Sequence, residues 1–152
     1  MSPAAALMAK QTHEERVQYV INDLENVHFG SERCCETDKA WDAIHRAFDG
    51  KSELDYDASG PLALVVMGGA PLHSESDYII VLKTPDQVRA AADALEAIDQ
   101  DAFRKLYFAI DPDKYDMPLD DTDFGYSWQW LEEAKQFYRK TAASGLSAVF
   151  SV

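Results

Sequence analysis

Apolar positions along this chain recur mostly at helical spacing. After Thr12, which with Glu15 three residues on has the make-up of a capping box, Val17, Val20, Ile21, Leu24 and Val27 fall on one stripe and predict an amphipathic helix. A second helix is predicted to begin near Thr37 or Asp38, to bury Trp41, Ile44 and Phe48, and to stop at Asp49-Gly50. Residues 51–60 are polar and read as a loop. Pro61 opens a short segment, Leu62 to Met67, whose pattern fits a helix or a buried strand. The paired Gly68-Gly69 favours a helix, because glycine supplies the positive φ on which helices end.

The pattern then changes. Tyr78-Ile79-Ile80-Val81-Leu82 is apolar without alternation and predicts a strand covered on both faces. Thr84-Pro85-Asp86-Gln87 is a capping box with proline at the first helical position, and Val88, Ala91, Ala92, Leu95 and Ile98 form the inward stripe of the helix that follows. A short helix is predicted between Asp99 and Phe108, then a loop from Asp111-Pro112. A long helix follows from about Phe124 to Ser144, ended by Gly145, and a closing strand within Leu146 to Val152 is placed beside the 78–82 strand. Helices outnumber strands and no repeat divides the chain. The expected class is α+β: a single compact domain over residues 11–152, several amphipathic helices packed on a small mixed sheet, preceded by a flexible tail over 1–10.

Composition fits that picture. The chain has 152 residues, 47% of them hydrophobic and 27% charged, which is enough apolar side chain for one core. Its 27 acidic residues outnumber 14 basic ones for a net charge of -13, so nucleic acid and anionic membranes are repelled. The two cysteines, Cys34 and Cys35, are adjacent; a bridge between neighbours would be strained, so they read as free thiols and suit a cytoplasmic location. No basic, apolar leader is visible at the N-terminus, and the apolar run from Pro61 to Leu72 is too short to span a bilayer.

Known catalytic and metal patterns do not fit. His13-Glu14-Glu15-Arg16-Val17 starts like a zinc-protease helix, but Val17 stands where the second histidine ligand belongs. In Asp111-Pro112-Asp113-Lys114-Tyr115-Asp116, Tyr115 replaces a calcium ligand and Asp116 the turn glycine. Gln129 breaks the nucleophile-elbow pattern around Ser127, and the spacing of His28, Cys34, Cys35 and His45 matches no zinc arrangement. No metal site and no cofactor are expected.

Two constellations remain. His45 lies one turn after Trp41 and, with Gly68 and Gly69 offering close backbone approach, could line a pocket in which a neutral imidazole titrates. On the last helix, Trp130, Leu131, Ala134, Phe137, Tyr138 and Thr141 share one side, whereas Trp128 falls among Glu132, Lys135 and Arg139. An aromatic off the apolar stripe, beside Tyr126 and following Asp120, Asp121 and Asp123, has the composition of a binding hot spot with an acidic rim. Residues 111–123 hold six aspartates against Lys114, a net of -5 in thirteen residues.

From Asp38-Lys39-Ala40-Trp41-Asp42-Ala43-Ile44-His45, and again from Pro61-Leu62-Ala63 to Met67-Gly68-Gly69, the sequence resembles the YfbM-like family of uncharacterised bacterial proteins. The order continues through the strand, Thr84-Pro85 and Val88, the helix into Asp99, and Phe137-Tyr138 before a final strand, so the likeness spans residues 37–152. It implies a compact α+β fold and supplies no catalytic residue, the family having no established activity. Its members open on a short strand beginning Met-Gly-Met, which Met1-Ser2-Pro3 does not match; either the sheet is smaller by a strand or residues 4–9 take its place. The leading expectation is therefore a non-enzymatic cytoplasmic domain that binds a basic protein partner, of the immunity or inhibitor type. The alternative is a small-molecule-binding protein or enzyme using the Trp41, His45, Gly68 and Gly69 pocket.

Overall fold

Three short strands mark the centre of the computed structural model, which describes residues 1–72 and 77–152. In chain order the elements are α1 (Pro3–Met8), α2 (His13–Tyr19), a π-helical turn (Val20–Glu25), α3 (Asn26–His28), α4 (Ala40–Asp49), a 3-10 turn (Ala63–Val65), β1 (Ala70–Pro71), β2 (Ile80–Lys83), α5 (Pro85–Glu96), α6 (Gln100–Tyr107), α7 (Asp121–Ala143) and β3 (Ala148–Ser151). The strands pair in the order β1-β2-β3, with Ala70 opposite Leu82 and Val81 opposite Phe150. Both pairings are antiparallel, so the sheet among the described residues is not mixed as expected. The closing strand does lie beside β2.

Residues alternate across this sheet with the two-residue period of a strand. Ile79, Ala148 and Phe150 join the main core with α4, α5, α6 and α7, while Tyr78, Ile80, Leu82 and Val149 face a second cluster built on Leu7 and Val20. The sheet is thus covered on both faces, which is why Ile80 and Val81 are fully buried.

Caps set most helix starts. Thr12 Oγ1 accepts from the Glu15 amide while the Glu15 carboxylate accepts from the Thr12 amide, and Thr84 with Gln87 repeats the arrangement. Asp99 and Asp120 cap α6 and α7, so α7 begins three residues before the predicted Phe124. α4 has no side-chain cap and starts later than Thr37 or Asp38, because Asp38 sits at φ 42 and its carboxylate receives the Tyr126 hydroxyl instead. Gly50 and Gly145 end α4 and α7 in the left-handed conformation.

Two departures concern the N-terminus. Residues 3–8, expected within a flexible tail, form α1, capped by Ser2 and anchored by a fully buried Leu7. The predicted helix over 12–27 is interrupted by the π turn, whose added residue rotates everything after it by about 100°. Val27, placed on the apolar stripe by an unbroken helical count, is 63% exposed as a result. Among the described residues no helix is long and apolar enough to cross a membrane.

Candidate functional site

His45 is where the sequence placed it, on the buried side of α4, but it has no exposed surface. Its Nε2–H donates to the Asp55 carbonyl at 3.1 Å, and Nδ1 accepts from the Met67 amide at 3.4 Å, which fixes a neutral imidazole. Burial lowers its pKa, against a smaller opposing effect of the Asp55 bond. Gly68 and Gly69 follow Met67 in the chain, and the space of their missing side chains is filled by the chain itself. A Cβ on Gly68 would lie 2.6 Å from the Ala63 carbonyl oxygen, and one on Gly69, at φ 127, would lie 2.7 Å from that of Leu82. Trp41 packs on Phe150 with ring centroids 5.8 Å apart. The expected pocket residues come together, therefore, as packed core and not as the wall of a site: the glycines admit the chain's own backbone, and the imidazole is sealed.

Lys83 lies in the same region, directly after the strand predicted over 78–82. It is fully buried at the end of β2, its Nζ donating to the Val66 carbonyl at 2.6 Å and standing 5.7 Å from the Phe150 ring centre. Desolvation pushes its pKa down to about 7.

The acidic segment is also more internally engaged than its composition suggests. Asp120 caps α7 through the Asp123 amide at 2.9 Å, and Asp121 pairs with Arg104 at 2.5 Å. Asp123 accepts the hydroxyls of Tyr107 at 2.5 Å and Tyr115 at 2.9 Å; burial first, and then this carboxylate, raise the pKa of both phenols. Tyr126 donates to Asp38 and accepts from the Lys39 amide at 3.3 Å. Trp128 is half-buried against Phe103 of α6, 6.0 Å between ring centres, with the Lys135 ammonium 5.6 Å from its own ring. Its departure from the apolar stripe reflects a second packing partner: α7 meets α4 and α5 on one side and α6 on its flank. Within the expected hot spot, then, Trp128 and Asp123 are engaged internally while Asp120 and Asp121 stay exposed.

What composition could not show is which loop lies beside that segment. Ser52, buried and held at φ 59, accepts the Asp111 amide on its Oγ at 2.8 Å while Arg46 reaches its carbonyl at 2.8 Å. Lys114 crosses in the other direction to the Glu53 carboxylate and, at 3.2 Å, the Lys51 carbonyl. Residues 49–57 carry four acids against Lys51, and residues 111–123 six against Lys114, so the joined loops hold a net of -8 of the chain's -13. Asp57, Asp111, Asp113 and Asp116 are exposed on them. Neither a motif nor a period in the sequence announces Ser52, because a serine in the left-handed conformation is set by its tertiary partners. Among the described residues no group of three or more His, Cys, Asp or Glu is arranged to hold a metal ion.

A model of a family described as a domain of unknown function, DUF1877, matches residues 2–151. The protein YfbM of Escherichia coli (strain K12) is 29% identical over 86 residues, covering 55% of this chain; the match spans about half, 52%, of that curated relative's length. The crystal structure of the same organism's YfbM, described as a protein of unknown function, superposes with a TM-score of 0.62 at 21% identity and covers 91% of both chains. That similarity supports the fold.

Proposed function

The chain belongs to the DUF1877 family of domains of unknown function, and on that footing we propose that it is a non-catalytic protein-binding domain whose partner is basic. The joined acidic loops carry this reading. A net of -8 is gathered from two segments some sixty positions apart and locked by a buried, strained serine, so the charge is concentrated on one face and held in register. Such a face raises the encounter rate of a basic protein and repels acidic ones. An immunity or inhibitor role against a basic toxin is the specific form we favour, in a bacterial cytoplasm where Cys34 and Cys35 stay reduced.

The test compares the wild type with a triple variant, Asp57→Lys, Asp113→Lys and Asp116→Lys, as immobilised baits for a lysate, with the association rate of each retained protein followed against salt. The reading requires a basic protein retained by the wild type alone, whose on-rate falls steeply with salt. Salt-insensitive association, or equal retention by both baits, overturns it.

A further inference from the structure

We infer that residues 1–28 form a lid over one face of the sheet, latched by Glu25 and able to open while the main core stays folded. This layer consists of α1, α2, the π turn and α3. Its fully buried apolar side chains are Leu7 and Val20, which pack with Leu72 and Ile80 in a cluster separate from the main core. Val17, Tyr19 and Leu24 are partly buried against the same cluster, while Met8 and Val27 are exposed, Val27 at 63%. A layer that fully buries two apolar side chains and half-buries three more has a smaller opening free energy than α5 or α7, whose stripes are sealed along their length.

The polar ties are concentrated in the same way. Among the described residues, Arg16 Nη1 donates to the Leu72 carbonyl at 2.5 Å, while the hydroxyls of Tyr78, at 2.8 Å, and Ser151, at 2.6 Å, both donate to Glu25 Oε1. One carboxylate oxygen therefore joins the lid to residues on both sides of the β2–β3 pair. The π turn explains how: its extra residue turns Glu25 toward the sheet as it turns Val27 outward, so the same irregularity makes the latch and weakens the apolar seal beyond it. Opening would uncover Ile80, Leu82 and Val149, an apolar strip on β2 and β3.

Native-state hydrogen exchange, read by mass spectrometry on the full chain, tests this. Peptides from residues 1–28 should exchange through a subglobal opening faster than peptides from α5 and α7. Glu25→Gln, and separately the milder Tyr78→Phe, should speed exchange of the lid with no change in those helices, by roughly tenfold for Glu25→Gln, as expected for losing hydrogen bonds to a charged acceptor. Equal protection of lid and core in the wild type, a uniform acceleration throughout the chain, or no response to either variant overturns the inference.

Discussion

Lys83 has no exposed surface, and its amine donates to the Val66 carbonyl. Its folded pKa of about 7 lies below the ordinary 10.5, so above neutrality the unfolded chain binds a proton that the folded chain does not. Stability from this residue therefore rises with pH through the window above the folded value and is reduced below it. Lys83→Met keeps most of the stem's volume without the amine. It should raise stability at pH 7 by roughly 2 kcal/mol and remove this upward slope between about pH 7 and 8.5, below the range where tyrosines titrate. Urea denaturation of both proteins across that window checks it, and a variant that is less stable with an unchanged slope would contradict it. Ser127 is a second buried polar residue with an unmet need, its Oγ being sealed on α7 without a hydrogen-bond partner among the described residues. Ser127→Ala removes that group at nearly constant volume and should raise stability by about 1 kcal/mol, measured by the same denaturation. Neither environment was legible in the sequence. A lysine after an apolar run looks like a strand end, and a serine between Tyr126 and Trp128 looks like a helix start, because burial at both is decided by distant segments.

At the scale of elements, α2 and α5 share one capping box but belong to different layers, which allows the same substitution to report on each. Thr84→Ala should lower global stability by about 1 kcal/mol, since α5 is part of the main core. Thr12→Ala removes the equivalent cap from α2, and if the lid opens on its own it should quicken exchange in residues 1–28 while leaving the global denaturation midpoint nearly unchanged. Equal midpoint shifts in the two variants would place both helices in one cooperative unit. The caps were readable from sequence because their chemistry is local: Thr with Glu or Gln three residues on defines a helix start wherever it packs. The same holds for the strand at 78–82 and the stripe of α5. The π turn was not readable, since Val20 to Glu25 has an ordinary helical pattern and only the sheet beneath explains the added residue. For a related reason the candidate site shifted. Asp120, Asp121 and Asp123 stand out by composition; a cap, an arginine and two tyrosines engage their carboxylates, Asp120 and Asp121 stay exposed, and Ser52 brings further exposed acids beside them.

For the whole molecule, charge distribution matters more than its total. A net of -13 spread evenly over the surface would leave each pair of like charges separated by more than a screening length at moderate salt. Here -8 is gathered in two touching segments, the second running into the start of α7, with Lys51 and Lys114 as their own basic residues, Arg46 beneath and Arg104 on Asp121. The compact state therefore carries a repulsion that the unfolded chain relieves, because unfolding separates residues 49–57 from residues 111–123. Thermal midpoints should accordingly rise as sodium chloride is increased from low ionic strength to about 0.5 M, where the screening length falls to a few ångströms. Neutralising the exposed members with Asp57→Asn, Asp113→Asn and Asp116→Asn should raise the midpoint at low salt and shrink the salt response. The same triple change made at exposed acids elsewhere, Glu14→Gln, Glu132→Gln and Asp93→Asn, should do much less, since these residues lie on separate helices. Equal responses of the two triples would mean that charge acts through its total and that the two loops are no special locus. A response confined to the first triple would show that the fold keeps a destabilising concentration of charge on one face.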